Sequence, residues 1–381
     1  MKKFIIILSV IMLASCKPSQ FQIDVTNNTD VAHIKTTVEI AWTDVVAKLP
    51  SVDPAKLSVV DAKTGVELTH QVVYHGNQSP QMLIFQASLA ARESTSVLVK
   101  GTASKLEPVY KTFGRFVPER RDDFAWENDR VAFRMYGPAL ARDNQSNGVD
   151  LWLKKTEKLI VDQFYYDDLN NNKSYHVDHG EGLDCYTVGH TLGAGGIAPF
   201  VNDTLWIGKH YTAQEVFDNG PLRTTFKLTY NNFPFDGKII NKEIVISIDA
   251  GSQFNKAVVS FDGDFTDIKL AAGILIHDDP GNIKMNTAAG YNAFGEIAVS
   301  SAGVPAGRNY VATVIPDGKM IDSLIQQQHI LAIAPYKKGE KFTYYFGSGW
   351  NQWGFENDEA WFAHVAEFAE KLKKPLNVSI R

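Results

Sequence analysis

The sequence is poor in cysteine: its 381 residues include only Cys16 and Cys185. Because Cys16 is expected to carry a lipid, as argued below, Cys185 has no partner and an intramolecular disulfide is excluded. Stability must therefore come from burial of apolar side chains. With 44% hydrophobic and 11% aromatic residues, the chain has enough of them for one large core or two.

The sequence also lacks an excess of positive charge. Cleavage before Cys16 would remove Lys2 and Lys3, leaving 36 basic residues against 43 acidic ones, a net charge of about −7. Binding to DNA or RNA depends on neutralising phosphates with many basic side chains. We therefore expect no nucleic-acid partner.

No apolar run is long enough to span a membrane as a helix. Residues 4–14 are apolar but too few, follow two lysines, and end in Leu13-Ala14-Ser15-Cys16, which is typical of a bacterial lipoprotein signal. We predict a signal peptide over residues 1–15 and lipidation of Cys16, so that acyl chains anchor the protein to the membrane. The alternative is a short N-terminal membrane helix. Residues 17–20 carry no acidic surface-export signal, so we expect an exported lipoprotein whose anchor faces the periplasm.

Most of the chain alternates between apolar and polar residues with a period of two. The pattern is clear in residues 21–25, 37–42, 223–230 and 341–346, and turn residues separate such segments. It predicts an all-β fold: a large antiparallel β-sandwich, similar to the supersandwich of mutarotase and lyase-type proteins.

One helix is predicted near the end of the chain. Asn357 or Asp358 would cap it and Pro375 follows it. Its apolar positions recur at helical spacing: Trp361, Val365, Phe368 and Leu372.

A boundary is predicted near residues 101–108. Residues 16–104 would form an N-terminal β-sandwich segment, and residues 105–381 the main β-sandwich, which would be the catalytic domain. The dense polar motifs all lie between residues 115 and 353, so we expect the function there.

Residues 175–186 read Tyr-His-Val-Asp-His-Gly-Glu-Gly-Leu-Asp-Cys-Tyr, a density of polar groups that is costly to bury without a function. His176, Asp178, His179 and Glu181 could bind a divalent metal ion, although their spacing matches no zinc signature. Otherwise one imidazole acts as general base or acid and a carboxylate fixes its tautomer. Tyr186 is a further catalytic candidate.

If residues 183–188 are a strand, Cys185 points to the apolar side together with Leu183, whereas Asp184 and Tyr186 point to the polar side. This pattern predicts that Cys185 is an inert core thiol. His277, at the end of an apolar strand, could reach the same site and is a reserve candidate.

Residues 114–137 hold several arginines among carboxylates. In a strand over residues 131–136, Arg134 and Tyr136 share one face. Arginine suits bidentate capture of a carboxylate or sulfate, so Arg134 predicts an anionic oligosaccharide as ligand, with Arg115 as a second contact. The alternative is an arginine–carboxylate network that fixes a long loop.

Three tryptophans are candidates for stacking on sugar rings: Trp126, Trp350 and Trp353. Core packing is the alternative for each of them. Glu127, next to Trp126, is also assigned to substrate binding. The Asp and Asn residues between 167 and 172 predict an exposed loop.

Four of these segments, residues 115–120, 123–130, 133–138 and 175–184, resemble the domain-of-unknown-function family 4861 of polysaccharide-utilising Bacteroidetes. The resemblance covers nearly the whole mature chain, and one member of the family is known as an ulvan oligosaccharide dehydratase. It implies removal of water from the non-reducing-end uronic acid of an ulvan-type (uronic acid/rhamnose) oligosaccharide, which leaves a 4,5-unsaturated sugar.

Such an elimination takes a proton from C5, next to the carboxylate, and expels the hydroxyl at C4. Arg134, together with Arg115, would neutralise the charge that develops on the substrate carboxylate. His176 or His179 would be the base.

Tyr186 or Tyr136 would protonate the leaving oxygen, although tyrosine and histidine could exchange these two roles. The alternative functions are a polysaccharide lyase that cleaves uronic-acid glycans by β-elimination, and a non-catalytic sugar-binding lipoprotein.

Overall fold

The computed structural model describes residues 19–142, 146–277, 281–300 and 302–381. The predicted signal peptide and Cys16 lie outside the described residues, so these two predictions stay predictions. Within the described ranges, no helix is long and apolar enough to cross a membrane.

The N-terminal part is a small sandwich of two antiparallel sheets. Its strands are β1 Gln20–Thr26, β2 His33–Ala41, β3 Ser58–Asp61, β4 Glu67–Leu68, β5 His70–Val73, β6 Met82–Leu89 and β7 Ser94–Lys100, with helix α1 at Trp42–Lys48 after β2. Alternate residues such as Ile23, Val25, Val97 and Val99 are buried between the sheets, as a period of two requires.

The rest of the chain forms a larger sandwich. Its strands are β8 Thr112–Val117, β9 Asp123–Asn128, β10 Ala132–Met135, β11 Val149–Lys154, β12 Gly182–Leu183, β13 Ala194–Val201, β14 Thr204–Leu205, β15 Ala213–Asp218, β16 Arg223–Phe235, β17 Lys238–Asp249, β18 Phe254–Asp262, β19 Ile268–Leu275, β20 Asn282–Asn286, β21 Tyr291–Val299, β22 Pro305–Val314, β23 Asp322–Gln326, β24 His329–Tyr336 and β25 Phe342–Trp350. A further strand, β26 Asn377–Ile380, joins the N-terminal sandwich. Helix α2 covers Val161–Asn170 and helix α3 covers Asp358–Lys373, and short 3-10 helices lie at Pro118–Arg120 and Pro138–Arg142.

Three sheets enclose the main core. The largest has eight strands in the order β15-β16-β17-β18-β25-β22-β21-β20. Facing it are two five-stranded sheets, β12-β11-β10-β9-β8 and β14-β13-β19-β24-β23. Inward residues of all three, among them Trp126, Phe226 and Phe346, pack into one apolar cluster. The predicted all-β sandwich with a C-terminal helix is therefore confirmed.

Helix α3 begins where the sequence indicated. Asn357 is its N-cap, and its side chain accepts a hydrogen bond from Ala360 N at 2.9 Å. Trp361 and Val365 are fully buried against the outer face of the eight-stranded sheet. The helix thus covers one side of that sheet and leaves the other side to the core.

Helix α2 was not predicted. The polar run at residues 167–172 predicts a loop, but the helix continues to Asn170. Val161, Phe164 and Tyr165 pack on Trp152, on the outer face of the sheet formed by β8–β12. The exposed-loop prediction is therefore wrong for residues 167–170.

The last strand returns to the first. β26 pairs with β1 in register from Ile23–Ile380 to Thr26–Asn377, so residues 377–380 complete the N-terminal sandwich. The predicted boundary near residue 104 stays a prediction. The chain after it contributes strands β8–β25 to the larger sandwich and β26 to the N-terminal one.

Candidate active site

Arg134 projects from the outer face of β10, on the face that the pleat predicted, yet it is buried. Its guanidinium donates to Asp150 (2.8 and 2.5 Å) and to Asp184 (2.8 Å). It also donates to the phenol oxygens of Tyr175 at 3.1 Å and Tyr136 at 3.3 Å. Only 3% of the side chain is exposed, because α2 and the segment around residue 175 cover this face.

The arginine is balanced by carboxylates. Burial raises the pKa of Asp150 to about 7, and the nearby Asp184 carboxylate adds to the shift while Arg134 opposes it. Burial likewise raises the pKa of Asp123, which lies 3.6 Å from Arg134, to about 6. A guanidinium that is already paired and covered cannot also neutralise a substrate. The assignment of Arg134 to the substrate carboxylate is corrected: it belongs to a buried ion cluster.

Tyr136 belongs to the same cluster. Its hydroxyl donates to Asp150 at 3.2 Å, and burial raises its pKa well above the usual value. Arg115 bonds Glu119 at 2.6 Å and Asp162 at 2.5 Å, which matches the alternative in which arginine–carboxylate pairs fix a loop. Neither residue is among those that line the cleft next to Tyr186.

The side chains predicted to bind a metal ion point to separate partners. His176 Nδ1 lies 3.1 Å from the Asp184 carbonyl, and His179 Nε2 lies 3.1 Å from the Ser174 carbonyl. Asp178 pairs with Lys155, and Glu181 pairs with Lys158 at 2.7 Å. Across the described ranges, no three His, Cys, Asp or Glu side chains are grouped so that they could hold a metal ion.

Two of the predicted stacking platforms are core residues. Trp126 is fully buried and its indole N–H donates to Asn255 at 2.8 Å. Trp350 is 2% exposed and donates to the Ala306 carbonyl. Glu127 is buried in an ion pair with Lys154 at 2.6 Å. These three are therefore not free platforms or ligands, whereas Trp353 is half-buried in the turn after β25.

Tyr186 and Asp184 do not point to the same side, contrary to the prediction from the pleat. The pleat argument assumed a strand over residues 183–188, but β12 ends at Leu183, so the alternation stops there. Asp184 turns to Arg134, whereas Cys185 and Tyr186 both line a cleft between the sheets. Cys185 is a free thiol, and burial raises its pKa well above the usual value, so it stays protonated as expected of an inert core thiol.

The cleft has a volume of about 450 Å³ and brings together residues from distant strands. Tyr186 and Thr187 come from the segment after β12, His277 follows β19, Glu296 is on β21 and Asn309 on β22. The rings of Tyr186 and His277 meet edge to face with centroids 4.8 Å apart. The volume is within the range of ligand sites.

His277 is held between two acceptors. Its Nδ1 lies 2.7 Å from Glu296 Oε1, and its Nε2 lies 2.7 Å from the Thr187 carbonyl oxygen. Asn309 Nδ2 donates to the same Glu296 oxygen at 3.2 Å. Both ring nitrogens thus face oxygen atoms, and Glu296 fixes the orientation of the imidazole.

Two polar atoms of residues that line the cleft are buried and, within the described ranges, unpaired. The Tyr186 hydroxyl and Glu296 Oε2 have no hydrogen-bond partner among the described residues. Burial raises the pKa of Tyr186 well above its usual value, and the charge of Glu296 adds to the shift. The phenol is thus kept as a proton donor, next to a histidine that a carboxylate orients.

The sequence indicated part of this cleft. Tyr186 was a leading candidate and His277 a reserve candidate, but Glu296 and Asn309 were missed. Glu296 occupies an inward position of β21 between the buried Phe294 and Ala298. A carboxylate in a buried row of an apolar strand is the signal that could have found it.

Comparisons with known proteins agree with this fold. The family model "Domain of unknown function (DUF4861)" matches residues 25–378, so the chain belongs to that family. An uncharacterized protein, P7, of Formosa agariphila is 33% identical over 383 residues, which cover 94% of this chain and 93% of P7.

Two solved structures from Enterococcus faecalis are similar in fold. One is a protein of glycosyl hydrolase family 38 (TM-score 0.52, 9% identity) and the other an alpha-mannosidase (TM-score 0.53, 8% identity). Each match covers 95% of this chain but only 47% and 46% of the other protein, so the chain spans about half the length of these structures.

Proposed function

We propose that this member of the DUF4861 family is a carbohydrate-active lyase, a dehydratase that removes water from the non-reducing-end uronic acid of ulvan-type oligosaccharides. The observation that carries the proposal is the cleft in which the ring of His277, oriented by Glu296, adjoins the ring of Tyr186, whose hydroxyl has no hydrogen-bond partner in the part of the chain that the structure describes. An elimination needs one group that accepts a proton and one that donates a proton, placed around a single sugar ring. The fold similarity to glycosidases and the motif resemblance agree with a sugar substrate.

His277 is assigned the role of base. In the neutral ring that donates Nδ1–H to Glu296, the Nε2 lone pair faces the Thr187 carbonyl oxygen, which is unfavourable. A substrate that displaces the ring from this carbonyl frees the lone pair to take the C5 proton. Glu296 then stabilises the imidazolium that forms.

Tyr186 is assigned the role of acid. The C4–O bond breaks as the C5–H electron pair forms the C4–C5 double bond, and the phenol proton converts the leaving hydroxyl to water. Because burial raises the pKa of Tyr186, the phenol carries this proton at neutral pH. The second N–H of Asn309 is a donor for the charge that develops on the sugar carboxylate.

Mass spectrometry of uronic-acid/rhamnose oligosaccharides incubated with the protein tests the proposal. We expect loss of one water with the chain length kept. Shortened products would instead indicate a depolymerising lyase, and unchanged glycan a sugar-binding protein. Tyr186→Phe and His277→Gln should each lower the rate by about 10²- to 10⁴-fold.

His179→Ala and a chelator distinguish this site from a metal or base site built on residues 176–181. His179 is exposed and bonds only a backbone carbonyl among the described residues, so its removal should leave the rate unchanged. A large loss in His179→Ala, with full activity in His277→Gln, would overturn the assignment to the cleft.

We also propose that the protein is exported and held at the membrane by a lipid on Cys16, with the anchor facing the periplasm. The apolar leader ending in Leu13-Ala14-Ser15-Cys16 supports this proposal.

A further inference from the structure

We propose that Lys155, standing over Trp350, forms a subsite for an anionic group of the glycan, a carboxylate or a sulfate, beside the cleft. The inference rests on the proposed function only for the class of ligand. The proposed ligand is anionic, but among the described residues that line the cleft none is a lysine or an arginine. An anionic sugar needs a cation, and Arg134 is already paired and buried.

Lys155 points toward the eight-stranded sheet. It continues the inward row of β11, in which Leu151 lines the cleft and Leu153 packs in the core. Its Nζ lies 5.5 Å from the centre of the Trp350 ring, a cation–π distance. The preceding Lys154 points to the other face and is fully buried against Glu127.

The register of the large sheet connects Lys155 with the catalytic candidates. Glu296 pairs with Asn309, and Asn309 pairs with Trp350, so these three side chains form one row across β21, β22 and β25. Neighbours in such a row are about 5 Å apart, which puts Trp350 about 10 Å from Glu296. Lys155, which is partly exposed above Trp350, is thus close enough to Glu296 and His277 to contact a neighbouring group of a glycan bound in the cleft.

The ammonium has capacity for a ligand. Asp178 is its single hydrogen-bond acceptor among the described residues, and an ammonium has three N–H donors. About 28% of the Lys155 side chain is exposed. Asp178 Oδ1 also accepts from the backbone N–H of Gly180 and Gly182, so the carboxylate is fixed and orients the lysine. The same carboxylate competes with an incoming anion.

Binding of short uronic-acid/rhamnose oligosaccharides, measured by titration calorimetry, tests the inference without requiring turnover. Lys155→Met should weaken binding about ten- to a hundredfold, since it removes a charged hydrogen bond. Asp178→Asn should strengthen binding, because it removes the competing charge and keeps an oxygen for the two glycine N–H groups. Lys158→Met is the matched control: this lysine pairs with Glu181 and is 75% exposed.

Desulfated and carboxyl-reduced versions of the same oligosaccharide identify the anionic group that Lys155 binds. The version that lacks this group should have the same affinity for native protein and for Lys155→Met. The inference is overturned if native protein binds none of the three glycans, or if Lys155→Met binds like native protein. It is also overturned if Lys158→Met loses as much affinity as Lys155→Met. Loss of binding in Lys155→Met without any elimination by native protein would overturn the proposed function alone.

Discussion

Replacing Lys242 by methionine should stabilise the protein by an amount that depends on pH. Lys242 lies on β17 in the main core and is 6% exposed. Its Nζ donates to the Ile197 carbonyl at 3.1 Å and lies 4.8 Å from the Tyr230 ring centre and 5.7 Å from that of Phe233. No carboxylate pairs with it in the part of the chain that the structure describes. Burial therefore lowers the pKa of Lys242 to about 7.

The size of the effect follows from this pKa. An unfolded lysine has a pKa of about 10.4, and each pH unit between the two values is worth about 1.4 kcal/mol. Between pH 7 and 10.4 the unfolded chain binds more protons, so native stability rises with pH. The penalty for burying the ammonium is full below about pH 7, amounts to about 5 kcal/mol, and disappears above about pH 10.4.

Methionine removes that penalty but leaves the Ile197 carbonyl without its donor, at a cost of about 1 kcal/mol that does not depend on pH. We therefore expect Lys242→Met to be about 4 kcal/mol more stable below neutral pH, and the two proteins to be equally stable between about pH 9 and 10.

Urea unfolding followed by tryptophan fluorescence at several pH values between about 6 and 10 measures both free energies of unfolding. Comparison with native protein at each pH cancels the titration of every other group. A stability difference that stays constant over this range would refute the argument, because it would mean that Lys242 keeps its proton in the core.

Two further predictions concern charge and targeting. Arg134→Met should lower the free energy of unfolding by about 3–5 kcal/mol, because Asp150 and Asp184 lose their buried counter-charge. Urea unfolding at neutral pH measures this loss, and a change below about 1 kcal/mol would contradict the burial of the cluster. Cys16→Ser should abolish incorporation of a labelled fatty acid and move the protein from the membrane to the soluble fraction. Unchanged labelling would refute lipidation at that residue.

The sequence predicted which face of a strand a side chain occupies, but not what covers that face. For Arg134 the alternation along β10 is as predicted, with Phe133 and Met135 on the core side. The outer face was expected to be open, yet α2 and Tyr175 close over it. Covering depends on contacts between segments far apart in sequence, and a local pattern contains no information about them.

The cleft shows the same limit in another form. Tyr186 was singled out because polar residues are dense around it, which is a local signal. Its partners His277, Glu296 and Asn309 come from three later segments of the chain. Only the antiparallel pairing of β21 with β22 puts Glu296 opposite Asn309. Identifying the chemical types was therefore possible from the sequence, whereas grouping them required the sheet register.

Helix α2 was missed for a different reason. Val161, Phe164 and Tyr165 have helical spacing, whereas the Asp and Asn residues from Asp167 onward predict a loop. Aspartate and asparagine favour loops only weakly, and tertiary packing on Trp152 outweighs that preference. In α3, by contrast, the cap and the apolar positions gave the same answer.

The pairing of β26 with β1 makes the small sandwich dependent on a segment more than 350 residues further along the chain. During synthesis β1 is made long before β26, so the outer edge of β1 stays open until residues 377–380 have left the ribosome. A protein shortened before Asn377 would keep the whole cleft but expose the backbone donors and acceptors of β1, which invite pairing with another copy. β26 thus protects the edge of β1 from pairing with another copy of the protein.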